Sequence, residues 1–471
     1  MSGPAGGGSG GGPPGGLAGD RAFLAIWGGQ VVSLVGTSMT RFALLVWAWE
    51  TTGRATALSL LLFFGIGATV VFSPVAGVLV DRFDRKRMMI ASDLGAGLST
   101  VALVALMTAG RLELWHVYAL AALAGAFETF QFPAYSAAVT LLLPGRHYAR
   151  ASGLVSMAQS GSLILGPPIA GALLPLTGYL PILLIDLATF LVAVGALTLV
   201  RIPAPPASAA GAGVVGGLVR QMAYGFRYIA ARRGLLGLQL LLAGANFLLV
   251  FGIVLRAPFV LARSGGDELA LGQVMAAAGA GGVLGGVVLA AWGGPARRIR
   301  GVLGGLVLSS VGNLVFGLGR GVAAWAVGGF LYPFFLTLTN GLNQAIWQSK
   351  VEPDVQGRVF ATRRLIAQAT LLPAMLVAGP LADRVFEPGM APGGGLAGPF
   401  GALVGTGPGA GMGLLVAGAA ALALAVTLGG SAWPVVRRVE GDLPDHAAVG
   451  EAGVSPTEVD PRPGRERTGG A

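Results

Sequence analysis

The chain has 471 residues, of which 54% are hydrophobic and only 11% charged, with a mean hydropathy of +0.74. That balance is too apolar for the surface of a water-soluble domain of this length, so the sequence is read as a polytopic membrane protein. A net charge of +10 would suit a nucleic-acid binder, but the cations sit in short loops between apolar runs, where they set orientation in the bilayer; the absence of cysteine excludes disulfides, thiol catalysis and thiolate metal sites.

Residues 1–20 are mostly Gly, Pro, Ser and Ala and lack the charged and apolar regions of a signal peptide, so a disordered cytoplasmic tail is expected there. Twelve apolar segments follow, at 22–49, 55–80, 88–109, 114–142, 151–177, 179–200, 236–262, 268–292, 301–319, 321–348, 357–383 and 409–435. Lipid leaves no backbone group unpaired, and about 20 apolar residues cross the bilayer as a helix, so these runs are predicted to be helices. The expected fold class is an all-α membrane protein with twelve transmembrane helices in two six-helix pseudo-repeats. The halves are 21–200 and 235–436, joined by a cytoplasmic linker at 201–234 and followed by a polar tail at 437–471.

The cations agree with this layout. With the amino terminus inside, the outer loops hold only Arg54, Arg111, Arg263, Arg320 and Arg384 of the 31 Lys and Arg residues, and nearly all the rest lie on the inner side. An even number of spans places both termini in the cytoplasm. In the linker, Leu218, Met222, Phe226 and Ile229 share one helical face, which reads as an interfacial amphipathic helix. A faint internal match pairs Pro144 with Pro353, and Ala158-Gln159 with Ala367-Gln368, as expected of a duplicated transporter. Lysine occurs only at Lys86 and Lys350 amid abundant Ala, Gly and Arg, a composition typical of a GC-rich bacterial gene.

At the inner end of the second segment stands Gly77, then Asp81 and the basic run Arg82, Arg85, Lys86 and Arg87. Here the chain resembles the major facilitator superfamily, departing from its loop signature where Asp84 replaces the usual Gly. The resemblance implies that Asp81 reaches the amino-terminal end of the eleventh helix, around Gly357 and Arg358, where unpaired amides and the helix dipole favour a carboxylate, and latches the two halves on the inner side. Fixing topology is the plainer role of the same cations. In the fifth segment Gly153, Ser162, Gly166, Pro167, Ala170 and Gly171 follow the spacing of the superfamily's antiporter signature, with Ser162 and Ala170 in place of glycines. Small residues permit close helix approach and Pro167 weakens the backbone ladder, which gives a bendable seam; the match favours an exporter over an importer. Trp27-Gly28-Gly29-Gln30, Gln356-Gly357-Arg358-Val359-Phe360 and Gly379-Pro380-Leu381-Ala382-Asp383 are similar to the macrolide-efflux and siderophore-exporter branch.

Charges inside a membrane are costly and mark function by default. Glu128 follows His116 by twelve residues, about 18 Å along a helix and so near mid-membrane, and is the first candidate to carry a proton as the cavity changes sides. Arg41 and Asp186 lie at similar depth in the first and sixth segments, which predicts either a structural salt bridge or a coupling role for Asp186. Asp93, near the inner end of the third segment, is expected to organise the charge cluster around Asp81. Arg256 in the seventh segment either attracts an anion or pairs with an acid. Gln30, Gln131, Asn246, Asn340, Asn343 and Gln344 are candidate cavity residues, because the resemblance implies that the first, fourth, seventh and tenth helices line the cavity; hydrogen bonding between helices is their alternative use. Aromatic residues Phe127, Phe130, Phe132, Tyr135, Phe330, Tyr332, Phe334 and Phe335 crowd the fourth and tenth segments, as solute-binding walls or as packing.

No phosphate loop, catalytic constellation or metal-ligand spacing occurs, so neither an enzyme nor a cofactor is expected. The sequence therefore predicts a monomeric transporter of a bacterial cytoplasmic membrane that uses protons to export a bulky, mainly apolar solute by alternating access. A lysophospholipid or other lipid carrier, and a non-transporting receptor or scaffold, are the alternatives.

Overall fold

A computed structural model describes residues 17–82, 85–143, 148–200, 218–352 and 355–442, and these are helices and short connections. Six helices make up the first half: α1 (Leu17–Thr52), α2 (Ala55–Arg82), α3 (Arg85–Thr108), α4 (Leu114–Leu142), α5 (Tyr148–Thr177) and α6 (Tyr179–Leu199). The linker holds α7 (Leu218–Ala231). The second half comprises α8 (Arg233–Val254), α9 (Arg256–Ser264), α10 (Glu268–Trp292), α11 (Arg298–Leu318), α12 (Val322–Lys350) and α13 (Gln356–Leu381), then short α14 (Glu387–Met390) and α15 (Ala397–Val404), the long α16 (Ala410–Ala432), and short α17 (Pro434–Arg437) and α18 (Val439–Asp442).

All twelve predicted segments fall on helices. Among the described residues eleven spans are long and apolar enough to cross a membrane. The remaining segment is α4, a helix of 29 residues that carries His116, Glu128 and Gln131. The seventh segment differs from one straight rod, because α8 and α9 meet at Leu255. Pro258 has no N–H to return to the Val254 carbonyl, so the ladder breaks there and Arg256 falls at the bend. Pro380 acts similarly in α13, after which a π-helical turn runs from Ala382 to Phe386.

Within the first half α1 packs on α5 and α6, and α4 on α2 and α3; within the second, α12 packs on α10 and α11, and α16 on α8 and α11. Glycines let backbones touch. A Cβ at Gly125 would collide with the Gly65 carbonyl, and one at Gly312 would stand 2.6 Å from the Tyr332 nitrogen. The linker helix docks on α13 through Gly225, which meets Thr362, and buries Tyr228 and Ile229. Phe226, predicted to share the apolar face, is 44% exposed, because the close approach at Gly225 selects a neighbouring face. Tyr228 donates its hydroxyl to Glu352, and the Arg232 guanidinium stacks 3.5 Å over the Tyr228 ring.

The most extensive packing between the halves is that of α5 with α10 and of α2 with α13. A Cβ at Gly171 would stand 2.6 Å from the Glu268 carbonyl oxygen, and one at Gly272 would stand 3.0 Å from the Pro167 carbonyl oxygen; among the described residues no neighbouring atom lies within 4 Å of a Cβ at Gly161 or Gly153. Gly379 likewise packs against Thr56, with a Cβ there 2.6 Å from the Thr56 Cα. The seam is therefore packed toward the face that the cation pattern assigns as outer, and it loosens along α5 toward the inner face. Gly171→Val should force α5 and α10 apart and lower stability by about 1–3 kcal/mol, the usual cost of overpacking. Gly153→Val should leave the thermal unfolding midpoint in detergent unchanged, and equal effects of the two would contradict the packed-outer, loose-inner seam.

Candidate functional site

One face of α1, with Gln30, Leu34, Thr37, Arg41 and Leu45 at helical spacing, lines a cavity of about 300 Å3 together with α2, α3, α4 and α6. The volume lies at the lower end of the ~300–1,000 Å3 typical of small-molecule sites. Its outer part is apolar, built from Leu44, Leu61, Leu62, Leu103 and Leu120, and its inner part is polar, with Gln30, Asp93 and Gln131. A recess of about 90 Å3 shares Gln30, Glu128 and Gln131 and continues along α5 to Val155 and Gln159.

Three carboxylates face this cavity, and each is satisfied differently. Glu128 forms an ion pair with Arg41, and both side chains are open to the cavity, at 38% and 56% exposure respectively. Asp186, 4% exposed, accepts hydrogen bonds from the Thr37 and Thr100 hydroxyls, both at 3.1 Å. Asp93, 6% exposed, accepts from Gln30 Nε2 at 3.2 Å and Gln131 Nε2 at 2.6 Å, while Gln131 Nε2 also donates to Gln30 Oε1 at 2.8 Å.

Two expectations are corrected here. Arg41 pairs with Glu128 and not with Asp186. Gly36 presses α1 against α6 at Asp186, where its Cβ would stand 3.1 Å from the Asp186 Cα. Arg41 comes five residues later, about 140° further round the helix, and so points toward α4. Asp93 was expected in the inner charge cluster, but it belongs to the Gln30–Gln131 network in the cavity. Equal depth in the membrane was legible for these residues; the rotation that decides contact was set by the glycine packing.

Among the described residues, the second half contributes none of those lining this cavity. Asn343 accepts from Trp347 Nε1 at 3.1 Å, and Gln344 accepts from Arg363 Nη1 at 2.7 Å, so both are used within that half. Asn340 is exposed and Asn246 half-buried. The Nε of Arg256 is buried without a hydrogen-bond partner. Phe330, Phe334 and Phe335 pack on one another, and Tyr332 is buried, which assigns these aromatics to packing.

The antiporter-type residues of α5 divide between two neighbours. Gly166 meets Ser38 of α1, whereas Pro167 and Gly171 meet α10; Ser162 and Ala170 are buried, and Gly153 is exposed. In the charged stretch Lys86 donates to the Thr198 and Val200 carbonyls, at 2.8 and 2.6 Å, and so caps the inner end of α6. The side chains of Gly77, Asp81, Arg82, Arg85 and Gly357 lie outside the described residues, as do Phe83, Asp84, Pro144, Pro353 and the stretches 1–16 and 443–471. Among the described residues no cluster of His, Asp and Glu is arranged to hold a metal.

The sequence pattern of the Major Facilitator Superfamily matches residues 26–371. Macrolide efflux protein A of Streptococcus pyogenes is 28% identical over 374 residues, covering 77% of this chain and 90% of that protein. The MFS-type transporter YfiS of Bacillus subtilis, itself uncharacterised, is 26% identical over 392 residues, covering 80% and 87%. Among solved structures, a bacterial homologue of the human lysosomal transporter Spinster, in an inward-facing and unoccupied conformation, superposes with a TM-score of 0.60 at 16% identity, over 90% of this chain and 95% of that one. The nucleoside transporter NupG gives a TM-score of 0.61 at 9% identity, over 88% and 98%. At these identities the structural likenesses bear on the fold alone; the match over residues 26–371 makes this chain a member of the Major Facilitator Superfamily, a multi-pass secondary transporter of small molecules.

Proposed function

We propose that the protein exports a bulky, mainly apolar small molecule of the drug, antibiotic or siderophore-like kind across the bacterial cytoplasmic membrane in exchange for protons. The observation that carries this reading is the Arg41–Glu128 ion pair open to a cavity whose outer part is lined by leucines. A carboxylate inside a membrane is costly, and a cation or a proton offsets that cost most fully. Where the cavity and the recess share Glu128, Arg41 supplies the cation, which suits a state that has just released its proton to the cytoplasm. When the cavity turns outward a proton taken from outside replaces the guanidinium on Glu128, and Arg41 is freed. Asp186, held by two neutral hydroxyls, is a second proton position on the same cavity. The solute occupies the leucine-lined part, and its arrival competes with the protonated state for the same space. The similarity to macrolide efflux proteins supports export and a bulky solute.

The ion pair gives a direct test. Glu128→Gln should lower export driven by a pH gradient in proteoliposomes by about tenfold or more, because the amide neither binds the transported proton nor pairs with Arg41. Unchanged proton-driven export would remove Glu128 from the mechanism. Export by the unaltered protein that persists with the gradient collapsed would favour a lipid-type carrier instead.

The location of the solute is tested separately. Ala124 lines the cavity one helical turn from Glu128. Ala124→Trp should fill the apolar part and raise the Kd for a macrolide by about tenfold, a loss of ~1.4 kcal/mol. An unchanged Kd in a stably folded variant would place the solute elsewhere.

A further inference from the structure

We infer that Asp383 is an outer-face latch that holds the two halves together and sets which side of the membrane the cavity opens to. Asp383 lies in the π-helical turn that follows α13, three residues after Pro380. Its carboxylate reaches into the other half and takes the first two amides of α2. Oδ1 accepts from Ala55 N–H at 2.9 Å, and Oδ2 accepts from Thr56 N–H at 2.8 Å and from the Thr56 hydroxyl at 2.6 Å. These amides have no partner within their own helix, and the α2 macrodipole places partial positive charge beside them, so an ionised acceptor is the group that fits. One turn earlier Gly379 lets α13 lie against Thr56 and Ser59, which brings the carboxylate within reach.

The arrangement is the reverse of the one that the family resemblance implies for Asp81. Helices α2 and α13 run antiparallel. Asp81 stands at the inner end of α2 and would cap the start of α13; Asp383 stands at the outer end of α13 and caps the start of α2. Opening the outer mouth requires the start of α2 to leave Asp383, so three donors must find water before the cavity can face outward. The latch is independent of the solute and of the coupling ion, since it acts on the equilibrium between the two conformations.

The chain contains no cysteine, so single reporter thiols can be introduced without background. Ser59→Cys places one in the fully buried outer seam, and Gln159→Cys places one in the recess along α5. With Asp383→Asn added, a membrane-impermeant maleimide should label the Ser59→Cys thiol from outside about tenfold faster and the Gln159→Cys thiol from inside more slowly, as expected when a charge-assisted contact is weakened. Unchanged labelling, or faster labelling on both faces as in a merely loosened protein, would overturn the proposal. If Asp383→Asn fails to give monodisperse protein, Thr56→Val carries the same test, since it removes one of the three donors and should move both rates in the same directions by a smaller factor.

Discussion

A helix that ends at a membrane surface leaves its first amides unpaired, and in this protein distant carboxylates supply the missing acceptors. Asp383 caps α2, Glu387 accepts from the Gly409 and Met412 amides at the start of α16, and Glu440 accepts from the Arg298 and Ile299 amides at the start of α11. Two of these contacts tie helices together within the second half and are free to be permanent. The Asp383 contact crosses between the halves, so the physics that satisfies a helix end also sets the relative position of two bodies that must move. Around it, the glycine and proline contacts of α5 with α10 and of Gly379 with α2 determine how closely the outer seam packs.

The interior charges obey the same rule of satisfaction. Asp93 and Asp186 take hydrogen bonds from amide and hydroxyl groups, whereas Glu128 alone of the three takes an arginine. The ion pair is open to the cavity, whereas the carboxylates of Asp93 and Asp186 are buried among their donors. All three lie in the first half, and the polar side chains Asn343 and Gln344 of the second half are used to hold Trp347 and Arg363.

Much of this was legible in the sequence. Apolar run length located every long helix among the described residues, because it depends on the thickness of the bilayer alone. Arg41, Glu128 and Asp186 were identified because intramembrane charge is costly, whereas Asp93 was expected in the inner charge cluster. Their partners were not, since contact between Arg41 and Glu128 depends on helix rotation, which Gly36 fixes by its approach to α6. The bend at Leu255 could be anticipated from Pro258, but Asp383 was read only as part of a family-like stretch. Its signal was present as a carboxylate at the outer end of one span, with a glycine four residues before it and a helix start opposite.

The central claim is that the cavity exchanges a proton for a bulky apolar solute, and the movement of protons themselves tests it most directly. In proteoliposomes holding the purified protein and a pH-sensitive dye, with no imposed gradient, adding a macrolide to one side should drive measurable proton flux in the opposite direction, saturating with solute concentration. Solute movement without any proton flux would contradict the account.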